Sequence, residues 1–528
     1  MENFPKTLKE QTKVEKEEFS QDRINFKLTL RKKKFDEILI KKRNIVTNPD
    51  DNIWSLLLFL SKLQLPAEYK ITFQTIDELI SISLKSIKSN NILNVKYGIC
   101  LLKEYIDYFL TDDKFLINLN LAFVSDLLSI LEKWGENKEK QIIFNILYLL
   151  SNYSCINKNK NISKILLSHK GYKIWELCFD LQDYEIMSQI IWILSNITYK
   201  DEEASYNLLK SNFFQKQIFY FYSNQTIISH SNENNENNLF YMIIDRGIFL
   251  FKNLLVSDSS STINREEKYK LSIPIFNLIL NYSESNSQKI YSLCIVTLCE
   301  AISNETRLIN ELDNSKIINN ILNKKFFTDD RIVLYNNRII GEYIQSKANL
   351  SKEFYDKCIN YQIDILFSVK LQIVICETFW VMSNILHDNM SSGEIICQND
   401  NLIDRILSIF KNSSDYLFIK EISFFFLCLC KTINVNTFIK LENKGLIDIT
   451  LEHAKKTFDE PNKLKYVFEF IRFCLDTGDF IEEKLGGKNF VKEKCDNYGL
   501  IDLLKKYENS DNEELNDIIE SIINDYYE

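Results

Sequence analysis

A bulky residue followed four positions later by a polar one, inside an otherwise apolar run, returns along this chain at a nearly fixed interval. The clearest copies are Trp192-Ile-Leu-Ser-Asn196 and Trp380-Val-Met-Ser-Asn384. Weaker ones are Tyr148-Leu-Leu-Ser-Asn152, Phe249-Leu-Phe-Lys-Asn253, Arg338-Ile-Ile-Gly-Glu342 and Phe424-Phe-Phe-Leu-Cys428. Asn152 to Asn196 is 44 residues, Glu342 to Asn384 is 42, and Asn384 to Cys428 is 44. Asn196 to Asn253 is 57, and the excess matches the polar stretch SNQTIISHSNENNENN at 223–238. That composition predicts a disordered surface loop. Asn253 to Glu342 spans 89 residues, which leaves room for one degenerate repeat near Val296–Glu300. A chain with such a period buries the apolar face of each unit against its neighbours instead of folding around one central core.

The interval falls in the period of two- or three-helix armadillo and HEAT units, roughly 40–47 residues. Breakers are scarce, with 11 Gly and 5 Pro in 528 residues, too few turns for a β-rich fold. The expected fold is all-α: a right-handed armadillo-repeat superhelix, an α-solenoid of about ten repeats over 51–528, behind a basic N-terminal helical arm at 1–50. The last segment, Cys495–Glu528, reads as an amphipathic helix pair with a polar outer face, as a capping repeat requires.

The arm carries the strongest charge signal. From Arg23 to Arg43 nine Lys/Arg (Arg23, Lys27, Arg31, Lys32, Lys33, Lys34, Lys41, Lys42, Arg43) face only Asp36 and Glu37, a net +7. The whole chain is −9, so the remainder sums to −9 − 7 = −16. A basic arm tethered to an acidic body can be captured by an acidic partner or by that body itself. A body of that charge repels phosphate, which argues against direct nucleic-acid binding.

The repeated pair has a chemistry of its own. Residues i and i+4 share one helix face, one turn apart. An Asn amide both donates and accepts, so it can hold an extended peptide backbone without reading its sequence. Successive aromatic rings form a slot for an alkyl stem tipped by a cation, at ~0.5–2 kcal/mol of cation–π attraction. One such pair alone is most simply core; its recurrence at the repeat period points to a ligand ladder.

Other chemistries lack their residues. His169, His230, His387 and His453 are widely separated, no HExxH occurs, and Gly486-Gly487-Lys488 lacks the phosphate-loop spacing. No enzyme activity, cofactor or metal site is expected. The 12 cysteines include no CxxC pair and read as reduced, buried thiols of a cytosolic or nuclear protein. The polar start MENFPKTLKEQTKVEKEEF lacks a signal-peptide core, and the longest apolar runs are too short to span a bilayer.

These segments resemble one family. RINFKLTLRKKKFDEILIKKRNI (23–45) is similar to the importin-β-binding segment of importin-α, which reads as an Arg run, then RIxVNxELRKxKK, then LKRRNV. SQIIWILSNITYKDEEA (188–204) resembles that family's third armadillo repeat, VICETFWVMSNILHDN (374–389) its seventh, and the segment from Cys495 its last. The resemblance implies an adapter that binds basic nuclear localisation signals in a concave groove and links cargo to importin-β. It further implies shuttling between cytoplasm and nucleus, with an export receptor at the C-terminal repeats. The major site then falls on Tyr148, Asn152, Trp192, Asn196, Asp201, Phe249 and Asn253. The minor site falls on Arg338, Glu342, Trp380, Asn384, Glu421 and Phe424. Arg23, Arg31, Lys32, Lys33, Lys34, Lys41, Lys42 and Arg43 become the importin-β-binding and autoinhibitory residues. The sequence departs from the family pattern where Arg23 stands for an Arg cluster, where Tyr148, Phe249 and Phe424 replace Trp, at Cys428 in place of Asn, and at Lys200, where an acid is usual. The alternative is a divergent armadillo scaffold for protein docking without a transport role.

Overall fold

A computed structural model of the chain describes residues 76–109, 121–156, 160–223, 239–256, 264–347, 350–455, 464–486, 488–507, 510 and 512–528. The arm at 1–50 and the following 51–75 lie outside them. Ser223 closes a short helix, Tyr220–Ser223, and the rest of the expected loop, 224–238, also lies outside. All regular structure among the described residues is helical. The helices group into two compact units, 76–315 and 316–528.

In the first unit five long helices stack in a row: α1 (Ile92–Phe109), α2 (Lys140–Ile156), α3 (Tyr184–Thr198), α4 (Leu239–Val256) and α5 (Gln288–Asn304), each packed on the next. In the second the row is α6 (Asp330–Ser346), α7 (Gln372–Asp388), α8 (Tyr416–Cys430), α9 (Lys465–Leu485) and α10 (Glu513–Tyr526). Other helices precede each row member and complete its repeat, among them the long Arg265–Tyr282 before α5 and Lys352–Ser368 before α7. Lys160–Leu166 and His169–Phe179 lead into α3, Ser392–Gln398 and Asp400–Asn412 into α8, and Val435–Asn443 and Leu446–Lys455 into α9. This short, medium, long triplet is the armadillo unit.

Local sequence explains where the row helices begin. Asp183 caps α3 by accepting from the backbone N–H of Glu185 and Ile186; Asp329 and Asp415 cap α6 and α8 the same way. Each cap contributes about 1 kcal/mol. Gln182 and Lys200, on either side of α3, adopt left-handed backbone (φ 51° and 59°), which lets the chain reverse tightly into and out of the helix. Within α3 the residues from Ile186 to Ile191, then Ile193 to Ser195, Ile197 and Thr198, are all buried. A helix apolar on nearly every face belongs inside a stack. The stripe left half-exposed holds Trp192 and Asn196.

The final segment, Cys495–Glu528, holds the expected helix pair, Leu500–Tyr507 and α10. A third helix, Phe490–Tyr498, runs into the segment from before it and is ended by Gly499 (φ 72°) in a left-handed turn. The triplet is thus a full repeat. It is tied to α9 by Tyr526 Oη donating to Asp476 Oδ1 at 2.6 Å and by Lys465 to Glu514 at 2.6 Å. No helix of the described residues is long and apolar enough to cross a membrane. The cysteines described are free thiols, most of them buried.

Candidate functional site

The first unit places six of the seven expected major-site residues on three successive row helices. Tyr148 and Asn152 lie on α2, Trp192 and Asn196 on α3, Phe249 and Asn253 on α4. The three rings and the first two amides are half-exposed, while Asn253 is buried. Asp201 lies apart from this row. Its carboxylate caps the helix Glu202–Lys210 through Ala204 N–H at 3.0 Å and accepts from Ser163 Oγ at 3.0 Å. Beside it Lys200 is exposed.

The amides obey a register that the aromatic pattern hides. Asn196 Nδ2 donates to Ser151 O on α2 at 3.0 Å, and Asn253 Nδ2 donates to Ser195 O on α3 at 2.8 Å. In the second unit Asn384 Nδ2 donates to Gly341 O on α6 at 3.4 Å. Each acceptor is the residue just before the corresponding polar position of the preceding helix: Ser151 before Asn152, Ser195 before Asn196, Gly341 before Glu342. These amides therefore staple one row helix to the last, which commits one or both Nδ2 hydrogens and leaves the Oδ1 acceptor and any second hydrogen for a ligand backbone. Asn304, on α5, also bonds the preceding row helix, donating to Leu255 O at 3.1 Å, three residues past the register position Lys252. Sequence reasoning missed it by following aromatics, which put the degenerate repeat at Val296–Glu300. The signal was the dipeptide Ser303-Asn304, repeated at 151–152, 195–196 and 383–384.

The rings already hold cations from their own chain. Lys103 Nζ lies 4.8 Å from the Tyr148 ring centroid, and the Arg246 guanidinium carbon lies 5.4 Å from that of Trp192. Arg246 Nη1 donates to Ser188 O and Ser188 Oγ, both at 3.0 Å. Burial pushes the Arg246 guanidinium below its ordinary range, and Asp245 opposes that shift. Trp192 also meets Phe249 at 5.8 Å between centroids, tilted by 37°. Further along, Lys252 on α4 pairs with Glu300 on α5 at 2.9 Å.

The expected minor-site residues are on the second unit's row, in a different state. Arg338 and Glu342 lie on α6, Trp380 and Asn384 on α7, Glu421 and Phe424 on α8. Trp380 is 4% exposed, Phe424 8% and Arg338 9%. The Trp380 ring lies over Gly341, where a Cβ would approach its Cζ3 to 1.9 Å. Arg338 is bound to Glu377 on α7, with Nε and Nη2 both 3.0 Å from Oε1. Phe424 meets Tyr466 on α9 edge-on at 5.4 Å, and Lys420 lies 5.2 Å from that Tyr466 ring. Glu342, Glu421 and Cys428 are half-buried.

Stapled rows of three-helix units define an armadillo-like repeat scaffold, an architecture suited to docking other protein chains. One solved structure shares the fold. An engineered protein of known crystal structure is similar at a TM-score of 0.62 and 12% identity, over 85% of this chain and 99% of that one. A designed armadillo repeat protein, solved in complex with the peptide (KR)4, aligns at a TM-score of 0.39 and 10% identity, over 50% of this chain and 99% of that one. No protein-family model matches the sequence, and no curated protein sequence matches it.

Proposed function

We propose that the chain is a divergent nuclear import adapter of the importin-α type. In this reading the first unit's row binds basic nuclear localisation signals, and the arm at 23–43 is read by importin-β. Without importin-β, Lys41, Lys42 and Arg43 compete with cargo. An export receptor at the C-terminal repeats and shuttling between cytoplasm and nucleus complete the proposal, which assigns no catalytic activity. The observation that carries it is the register of Tyr148/Asn152, Trp192/Asn196 and Phe249/Asn253 on three packed helices, with half-exposed rings that already attract cations. A basic side chain on such a ring gains ~0.5–2 kcal/mol, and several such contacts sum to usable affinity.

A fluorescent basic peptide titrated against the chain lacking residues 1–50 tests the reading. Trp192→Ala with Asn196→Ala should weaken binding at least tenfold, about 1.4 kcal/mol. Equal binding by the double variant sinks the site assignment. The second reading, an armadillo scaffold that docks other proteins without a transport role, is favoured by the burial of Trp380, Phe424 and Arg338 along the second row. On that reading no basic peptide binds and the double variant changes nothing.

A further inference from the structure

An alkyl stem gripped between two ring faces needs their centroids about 7–8 Å apart, twice the ~3.5–4.0 Å carbon contact distance. Trp192 and Phe249 stand at 5.8 Å and touch each other. Arg246 lies one turn before Phe249 on α4, and from that helix both side chains press on the indole of α3. Its guanidinium is not loosely placed. Two hydrogen bonds to Ser188, one turn before Trp192 on α3, anchor it there.

We propose that Arg246 is a built-in occupant of one Trp192 face and sets the selectivity of the row: a ligand lysine or arginine gains that face only by displacing it. The inference rests on the proposed binding of basic segments and adds what limits it. Two like charges cannot share one indole face, so each basic ligand binds against the work of moving Arg246 off the ring. The row then discriminates among basic segments. One that presents an uncharged residue at this position, with cations to either side, leaves Arg246 seated and avoids the competition.

The test uses the full chain with Lys41, Lys42 and Arg43 changed to Ala, so that the arm does not mask binding. The probe is a fluorescent peptide of five consecutive Lys/Arg residues. Arg246→Gln should bind it about tenfold more tightly, Arg246→Met should do the same, and Arg246→Lys should stay within about twofold of the parent. The same peptide with its central residue changed to Ser should gain little from Arg246→Gln. If neither neutral variant binds the basic probe more tightly while Trp192→Ala still weakens it, Arg246 is not a competitor and the import reading stands. If no variant binds either peptide at low salt, the import reading falls and this inference falls with it.

Discussion

A single missing methyl group shows how closely the second row is packed. Glycine inside a helix ordinarily costs roughly 0.5–1 kcal/mol relative to alanine. At Gly341 the exchange should run the other way, because the new Cβ would stand 1.9 Å from Trp380 Cζ3 and 2.5 Å from Cη2. The indole is 4% exposed and so is held among its neighbours. Gly341→Ala should therefore lower stability by about 1–3 kcal/mol, the usual cost of overpacking. Urea denaturation reads this as a lower midpoint, and adding Trp380→Phe should recover part of it. An unchanged midpoint would mean that the ring does not lie over Gly341. The tryptophans that look alike in sequence thus do different work. Trp192 borders solvent and carries a cation, while Trp380 fills the space over a glycine in the preceding row helix. The repeated motif alone does not separate them; their surroundings do, with Gly341 beneath Trp380 and Arg246 and Phe249 against Trp192.

Whole elements were easier to read than individual contacts. The 42–44-residue interval locates α2, α3, α6, α7 and α8 from their bulky and polar pairs, and the Asp caps at 183, 329 and 415 mark where three of them start. Two things escaped it. The donor half of each Asn amide bonds the preceding helix, a partner some 43–58 residues away that no local window contains. The helix Phe490–Tyr498, which completes the last repeat ahead of the expected pair, is set apart from that pair by the Gly499 break. Buried thiols follow the elements closely. Cys397, Cys430, Cys474 and Cys495 sit on four neighbouring helices of the second unit, and burial pushes the Cys397 and Cys495 thiols up to about 12. Cys430 and Cys474 shift in the same direction, by burial first and then by neighbouring thiols. Cys178 in the first unit is likewise pushed up to about 12. An unfolded thiol ionises near 9, so the folded state holds more protons above that pH and stability falls as pH climbs. The contribution is complete below about pH 9 and is lost between there and about 12, at up to ~1.4 kcal/mol per pH unit for each thiol. Urea midpoints should therefore drop between pH 8 and pH 10, and less steeply in Cys178→Ala. Iodoacetamide should leave these thiols unmodified at pH 8 until the chain is unfolded; rapid labelling of the native protein would contradict the burial.

Across the whole molecule, charge is partitioned between segments: +7 over residues 23–43 and −16 over the rest. The described units contribute the docking architecture, and the arm, whose residues lie outside them, contributes the feature that a plain scaffold has no use for. An armadillo row needs no clustered cations in front of it, so their presence is the sequence's strongest pointer toward a partner that reads basic helices. The acidic excess outside residues 23–43 also bears on strength. Surface charges act over about 10 Å at 0.1 M salt and over about 3 Å at 1 M, so arm capture, by partner or by body, should be ionic and salt-sensitive. Immobilised importin-β is expected to retain the full-length chain at low salt and to release it as salt approaches 1 M. Changing Arg31, Lys32, Lys33 and Lys34 together to Ala should abolish retention, whereas Lys41→Ala with Lys42→Ala should leave much of it and free the row for cargo. Retention that ignores the first cluster would remove the arm's assigned role, even if basic peptides still bound the row. Retention that ignores salt would show that apolar contacts, not the +7 of the arm, hold the complex together.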